Sequence, residues 1–345
     1  MSKTKTKFWR KLNNVGLNGT APMSLEVLVY PFMRGELEVL RSLAPGVSFY
    51  HPDPPKSEAI ASAISVADMF IGGRLRPAAL ENARKLRLWQ VPWAGVDRLP
   101  LEQIKKRGIM LASASGCNAF PVAEQAMGLA IDLSRKITVQ DAMMKQGKWF
   151  RDGFSELYGK TMCVVGYGEV GVEIARRAKG FGMKVIAVKR DVSEIPPDSP
   201  ELDGLYPTSG LIDAIGGSDF VILALPLTKE TEDIINENEL RAMKRSAFLI
   251  NVGRGKLVNE DALHKALTEG LIAGAGIDVW YVYPPNEGFP SRSGLHLLPN
   301  VIATSHSAGL SPESWTRALE ICAENGRLLS KGLKPLNLVD LDRGY

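Results

Sequence analysis

The stretch Thr161–Gly171, TMCVVGYGEVG, decides the fold. Its first five residues are apolar and β-favouring and read as a buried strand, whereas EVGVEIARRAKGFG from Glu169 onward has the spacing of an amphipathic helix. Between them stand Gly166, Gly168 and Gly171 in the order Gly-x-Gly-x-x-Gly. Alone this spacing is a weak signal, since glycine also punctuates ordinary loops. Placed between a strand and a helix, it is the arrangement that binds a dinucleotide. Gly166 permits the tight turn, Gly168 lets the backbone approach a pyrophosphate, and Gly171 lets the helix pack closely on the strand. The free amides at the helix start then hold the anion. The loop Gly166, Tyr167, Gly168, Glu169, Val170, Gly171 is therefore the candidate phosphate cradle.

Working outward, the same rhythm runs in both directions. Upstream, LEVLVYP, VSFYHP, ADMFIGG, RLWQVP and IMLASA read as strands separated by helical patterns. Downstream, KVIAVK, DFVILALP, AFLINVG, GAGIDV and VIATSH follow TMCVVG in a second series. Between the two series, VAEQAMGLAIDLSRKITVQDAMMKQG reads as one long amphipathic helix. The expected fold is α/β, with two doubly wound parallel-sheet domains. The last helix, about Pro312 to Lys331, has no strand of its own in the second series and is expected to return to the first domain. Residues 25–119 and 311–345 then form one domain and 120–310 the other, after a basic arm at 1–24 that reads as disordered.

Bulk properties narrow the class. The chain has 345 residues, 45% of them hydrophobic, enough for two cores. Much of the net charge of +4 comes from Lys3, Lys5, Lys7, Arg10 and Lys11, so the body is near neutral and no nucleic-acid surface is expected. Cys117, Cys163 and Cys322 are odd in number and far apart, which fits a reducing compartment and no metal site. With no apolar run of membrane-spanning length and no secretory signal pattern, a soluble cytoplasmic protein is expected.

Two kinds of residue carry the chemistry. After KVIAV, where an acid would bind the ribose hydroxyls of NAD, stand Lys189 and Arg190, then Asp191. Two cations there suit a 2′-phosphate and favour NADP(H), with NAD(H) the alternative if Asp191 reaches the ribose. Of four histidines, His51, His264 and His296 sit in settings that suit structural roles. His306 instead follows the strand VIATS, at the carboxyl edge where α/β proteins bind ligands. Arg254, in the loop NVGRG after another buried strand, offers a planar pair of donors for a carboxylate.

These features resemble the D-isomer-specific 2-hydroxyacid dehydrogenase family, which includes phosphoglycerate, glyoxylate/hydroxypyruvate and formate dehydrogenases. The resemblance runs from about Leu25 to the carboxyl end and rests on ordered matches. They are WAGVD at 93–97, NAFPVAEQ at 118–125, the fingerprint, LPLTKET at 225–231, NVGRGKLVNEDAL at 251–263, GAGIDVW at 274–280 and LPNVIATSHSAG at 298–309. It implies a Rossmann NAD(P)-binding domain inserted into a flavodoxin-like substrate domain. It further implies Arg254 as the arginine that orients substrate, His306 as the general acid/base, and the amides around Ala94 and Gly95 as the carboxylate loop. Asp278 matches the residue that bonds the nicotinamide amide. Pro226, Leu227, Thr231, Val252 and Gly253 fall in cofactor-binding loops, while Trp93 and Asn118 fall near the substrate. A small carboxylate substrate and a homodimer are implied as well.

One position departs from the pattern. The family usually carries Glu five residues after the aspartate matched by Asp278, where it hydrogen-bonds the catalytic histidine, and here that residue is Tyr283 in VWYVYPP. Ser305 likewise replaces a common proline. A phenol can orient imidazole but does not stabilise imidazolium as a carboxylate does. Three readings follow: a 2-keto acid reductase in which Tyr283, or Glu287 reaching back, supports His306; a hydride-only reaction resembling formate oxidation; or a non-catalytic NAD(P)-binding regulator. The persistence of Arg254 and His306 favours the first.

Overall fold

The computed structural model describes residues 24–32, 35–283 and 290–345. The basic arm and Glu287 lie outside the described residues. The chain divides into two compact units, one made of residues 1–117 and 312–345, the other of 118–311.

The first unit is built on a parallel sheet of β1 (Glu26–Val29), β2 (Ser48–Tyr50), β3 (Met69–Ile71), β4 (Leu88–Val91) and β5 (Met110–Ser113), in the order 2-1-3-4-5. This is the flavodoxin-like order. β3 and β4 are buried throughout, as strands covered on both faces must be. The helix Pro312–Ser330 belongs to this unit and packs against the helix Glu36–Leu43. The buried Asn325 secures it: its Nδ2 donates to Gln90 Oε1 of β4 at 2.6 Å, and its Oδ1 accepts from Leu336 N at 2.7 Å.

The second unit carries β6 (Thr161–Val165), β7 (Lys184–Val188), β8 (Gly204–Tyr206), β9 (Phe220–Leu223), β10 (Phe248–Asn251), β11 (Gly274–Ile277) and β12 (Val301–Ala303). Their order is 12-11-10-9-6-7-8, all parallel. The order reverses between β6 and β9, so the crevice at that switch point lies beside the loop after β6. Asp219, just before β9, fastens the two central strands by accepting from Thr161 N at 2.9 Å and from Lys244 Nζ at 3.0 Å. Both domains are thus the doubly wound parallel α/β sheets expected.

Two details differ from the sequence reading. β8 is three half-buried residues beginning with glycine, too short to leave a hydrophobic pattern. The long helix after residue 118 is two helices, Ala119–Arg135 and Ile137–Lys145, because Lys136 turns left-handed at φ 51°. Asp132 stabilises the break, with its carboxylate accepting from Thr138 N and Thr138 Oγ1, both at 2.9 Å. The β-branched run Ile137-Thr138-Val139 gives the helix little reason to continue through it. Among the described residues no helix is long and apolar enough to cross a membrane.

Candidate active site

In the second unit the site is a row of loops at the carboxyl edge of the sheet, joined wherever a glycine removes a side chain. Gly166 has φ 96°, and a Cβ there would stand 2.7 Å from the Ala224 carbonyl after β9. A Cβ on Gly253, after β10, would meet Leu225 O at 2.9 Å. One on Gly255 would overlap the main chain of Trp280, after β11. Trp280 Nε1 in turn donates to Thr304 O, after β12, at 2.7 Å. The sequence-predicted loops therefore form one contiguous ledge.

The fingerprint fits a dinucleotide. A Cβ on Gly171 would overlap the Gly166 carbonyl, so the helix Glu169–Gly180 needs glycine to sit this close to β6. Gly168, at the N-cap of that helix, has nothing within 4 Å of where its Cβ would lie. The backbone is bare on the side from which a phosphate would approach the free amides. Tyr167 is only 1% exposed, with its ring in the core and burial raising its pKa, so only its main chain faces the loop. Val252 is likewise buried, whereas Glu169 is exposed.

At the end of β7, Lys189 Nζ donates to the carbonyls of Asp191, at 3.1 Å, and Glu194, so it ties down its own loop. Arg190 pairs with Glu230 at 3.3 Å, both side chains exposed. Asp191 accepts from Ser193 Oγ at 2.6 Å and Ser193 N at 3.0 Å, and these bonds hold its carboxyl below the usual range. In the loop after β9, Thr231 Oγ1 donates to Pro226 O at 2.7 Å and accepts from Thr228 N at 2.8 Å, while Leu227 packs toward the core.

The loop of Arg254 is braced from within. Asn251 Nδ2 donates to Arg254 O at 2.8 Å, Gly253 N donates to Asn251 Oδ1 at 3.1 Å, and Arg254 Nη1 donates to Gly253 O at 2.8 Å. His306 is exposed and takes a left-handed conformation, φ 56°. Its turn is held from beneath by Asp278, which is fully buried. One carboxylate oxygen accepts from Thr304 Oγ1 at 2.6 Å and Ser307 N at 3.1 Å; the other accepts from Ala308 N at 3.1 Å. Asp278 thus has a role on the protein side that the sequence did not suggest. Asn118 is beside the same turn, since a Cβ on Gly309 would stand 2.8 Å from its Nδ2.

Tyr283 does come to His306. The ring centroids are 5.2 Å apart with planes inclined by 41°, while the phenol oxygen accepts from Trp280 N at 3.2 Å. The two rings therefore meet in a tilted pair, with the phenol oxygen also tied to the Trp280 main chain. Sequence reasoning missed Gln125, Trp280 and Thr304 as supports of the turn. All three stand inside the quoted motifs NAFPVAEQ, GAGIDVW and LPNVIATSHSAG, and that was the only signal they left.

In the first unit, Trp93 follows β4 with Ala94 and Gly95. It is exposed and meets Phe32 edge-on at 6.0 Å, and a Cβ on Gly73 would touch its ring at 2.8 Å. Among the described residues no group of three or more His, Cys, Asp or Glu side chains could hold a metal.

A switch-point glycine cradle with an arginine loop and a histidine turn on the same sheet edge defines a nicotinamide-dinucleotide oxidoreductase. The NAD-binding domain of the D-isomer specific 2-hydroxyacid dehydrogenases matches residues 127–308, and the chain belongs to that family. It is an enzyme of NAD(P)-dependent 2-hydroxyacid and 2-keto acid chemistry at the family level. A glyoxylate reductase of Korarchaeum cryptofilum is 36% identical over 301 residues, 83% of this chain and 87% of that protein. A hydroxypyruvate reductase of Thermotoga maritima is 34% identical over 242 residues, 69% of this chain and 76% of that one. Among solved structures, an NADPH-dependent glyoxylate/hydroxypyruvate reductase of Sinorhizobium meliloti in complex with NADP and malonate is 25% identical, with a TM-score of 0.73 over 93% of this chain and 98% of that one.

Proposed function

We propose that this protein reduces a small 2-keto acid of the glyoxylate or hydroxypyruvate kind to the 2-hydroxy acid, with NADP(H) preferred over NAD(H). The observation that carries the reading is the single ledge on which the Arg254 loop, the His306 turn and the glycine cradle are joined through Gly253, Gly255 and Trp280. The nicotinamide supplies a hydride to the ketone carbon when bound. The chain's own part is to bind, to orient and to move a proton. Arg254 clamps the substrate carboxylate with its planar fork and steadies charge developing on the ketone oxygen. His306, protonated, gives its proton to that oxygen, so carbonyl, hydride and proton together balance as the alcohol.

The amides around Ala94 and Gly95 hold the carboxylate, with Trp93 and Asn118 bounding the substrate. On the cofactor side, Gly166, Gly168 and Gly171 with the amides of Tyr167, Glu169 and Val170 receive the pyrophosphate. Arg190 leaves its exposed pair with Glu230 for the 2′-phosphate, an exchange that costs little because surface ion pairs are weak. Lys189 contributes charge from its place on the loop. Pro226, Leu227, Thr231, Val252 and Gly253 line the remaining cofactor path, and Asp278 meets the carboxamide. The preference for NADP(H) agrees with the NADP-bound relative from Sinorhizobium meliloti. We further propose that the protein works as a cytoplasmic homodimer without nucleic-acid or membrane partners.

The decisive experiment is oxidation of NADPH and of NADH with glyoxylate, hydroxypyruvate, pyruvate and bulkier 2-keto acids. Turnover with the small acids and a higher kcat/KM for NADPH is expected. Tight cofactor binding without turnover would replace this reading by a regulator, and reduction of NADP⁺ or NAD⁺ by formate would replace it by a hydride-only dehydrogenase.

A further inference from the structure

Thr304 follows β12 and stands two residues before His306, and its polar groups are all engaged. Its N–H donates to Ile277 O at 2.9 Å, and its carbonyl accepts from Trp280 Nε1 at 2.7 Å. Its hydroxyl donates to Asp278 at 2.6 Å and accepts from Gln125 Nε2, on the helix Ala119–Arg135, at 3.2 Å. Asp278 also takes Ser307 N and Ala308 N, so the His306 turn is gripped on both sides of the histidine. A histidine at φ 56° is uncommon and persists only where its surroundings hold it.

Trp280 does something further. It is 6% exposed, and its ring meets His296 edge-on at 6.1 Å. Its main-chain N–H donates to the Tyr283 oxygen at 3.2 Å while its indole N–H donates to Thr304. One residue therefore fixes both the phenol that lies on the imidazole and the turn that carries it.

We infer that Trp280 and Thr304 are positioning residues for His306, with Trp280 coupling Tyr283 to the histidine turn. The inference rests on the reading of His306 as the acid/base. It is tested on the full chain with Trp280→Phe, which keeps a ring but loses the indole donor, with Thr304→Val, which loses the hydroxyl at equal shape, and with Thr304→Ser, which restores it. Rates are expressed per cofactor-binding site, so unfolded material does not count. In glyoxylate reduction with NADPH, Trp280→Phe and Thr304→Val should lower kcat about 10- to 100-fold, the cost of misplacing a catalytic group by an ångström or less, with KM and NADPH affinity unchanged. Thr304→Ser should return kcat to near wild type.

A second arm reads the histidine without turnover. The imidazole proton resonances of His306, assigned by their loss in His306→Ala, are followed across pH. They should move in Trp280→Phe and Thr304→Val and stay in place in Thr304→Ser. Unchanged kcat and unmoved resonances in both would overturn the inference, as would a fall in KM affinity or cofactor binding with kcat intact. A wild-type protein that reduces no 2-keto acid would sink the acid/base reading alone, because the resonances still decide whether these residues hold His306.

Discussion

Tyr283 lies against His306 ring to ring, at 5.2 Å and 41°, while its oxygen is engaged by the main chain of Trp280. The phenol therefore restricts where the imidazole goes without lending it negative charge. His306→Ala should lower kcat by about 10²–10⁴-fold, the usual worth of a positioned acid, whereas Tyr283→Phe should cost less than about tenfold, the worth of one ordinary hydrogen bond. Tyr283→Glu should move the alkaline limb of 2-keto acid reduction to higher pH. A carboxylate beside imidazole favours the protonated form, raises its pKa and keeps the acid loaded longer. A pH–rate profile of the Glu variant that overlays wild type would show that this position does not communicate with His306.

The cofactor edge makes a second expectation. Replacing Lys189 and Arg190 together by neutral residues should weaken NADPH far more than NADH, by about 1.5–3 kcal/mol for each lost charged hydrogen bond. Because Lys189 also ties its loop, Arg190→Ala alone should show the cleaner discrimination. Equal dissociation constants for the two cofactors, before and after, would remove the 2′-phosphate assignment.

Arg254→Lys keeps the charge and loses the fork. KM for the keto acid should rise and kcat should fall, despite a substitution that looks conservative. Steady-state kinetics within experimental error of wild type would leave Arg254 as a structural residue of its loop, bonded to Gly253 O.

Two glycines of the cradle should separate binding from stability. Gly168→Ala meets open space and should leave the unfolding free energy within about 0.5 kcal/mol of wild type while weakening NADPH. Gly171→Ala forces the helix off β6 and should destabilise the fold by about 1–3 kcal/mol. Calorimetric melting beside cofactor titration reads both, and equal effects at the two sites would contradict the geometry.

Acid stability should report on Asp219. Partial burial alone would raise its carboxyl, but the Thr161 N–H and the Lys244 ammonium more than offset this and hold it below the usual value. A folded pKa lower than the unfolded one gives stability that is present above the ordinary carboxylate range and lost as pH falls through the folded pKa. Asp219→Asn should therefore cost about 1 kcal/mol near neutrality and flatten the decline below about pH 4. Parallel urea-unfolding curves for both proteins across that range would refute the linkage.

Most of this architecture was legible because its signals are local. A run such as TMCVV announces a buried strand, and three spaced glycines announce the turn that follows. Arg254 could be found because it follows the buried strand β10 within three residues, and His306 because it follows β12 at the same distance, although β12 is half-buried rather than the buried strand its apolar sequence suggests. The helix break at Lys136 was hidden, since its cause is one carboxylate, Asp132, reaching Thr138 across an otherwise helical pattern. The supports of His306 were hidden for another reason: Gln125 and Thr304 are 179 residues apart, and no periodicity connects them. Tyr283 was visible as a departure from the family, but its oxygen is held by the main-chain N–H of Trp280, a backbone bond that leaves no mark in the sequence.

Gly253 and Gly255 stand on either side of Arg254 with carbonyls where their side chains would be. Such a loop cannot be lengthened or bulked out without unseating Trp280 and, through it, Thr304. A search for altered substrate preference in this protein should therefore leave loop lengths on this edge alone.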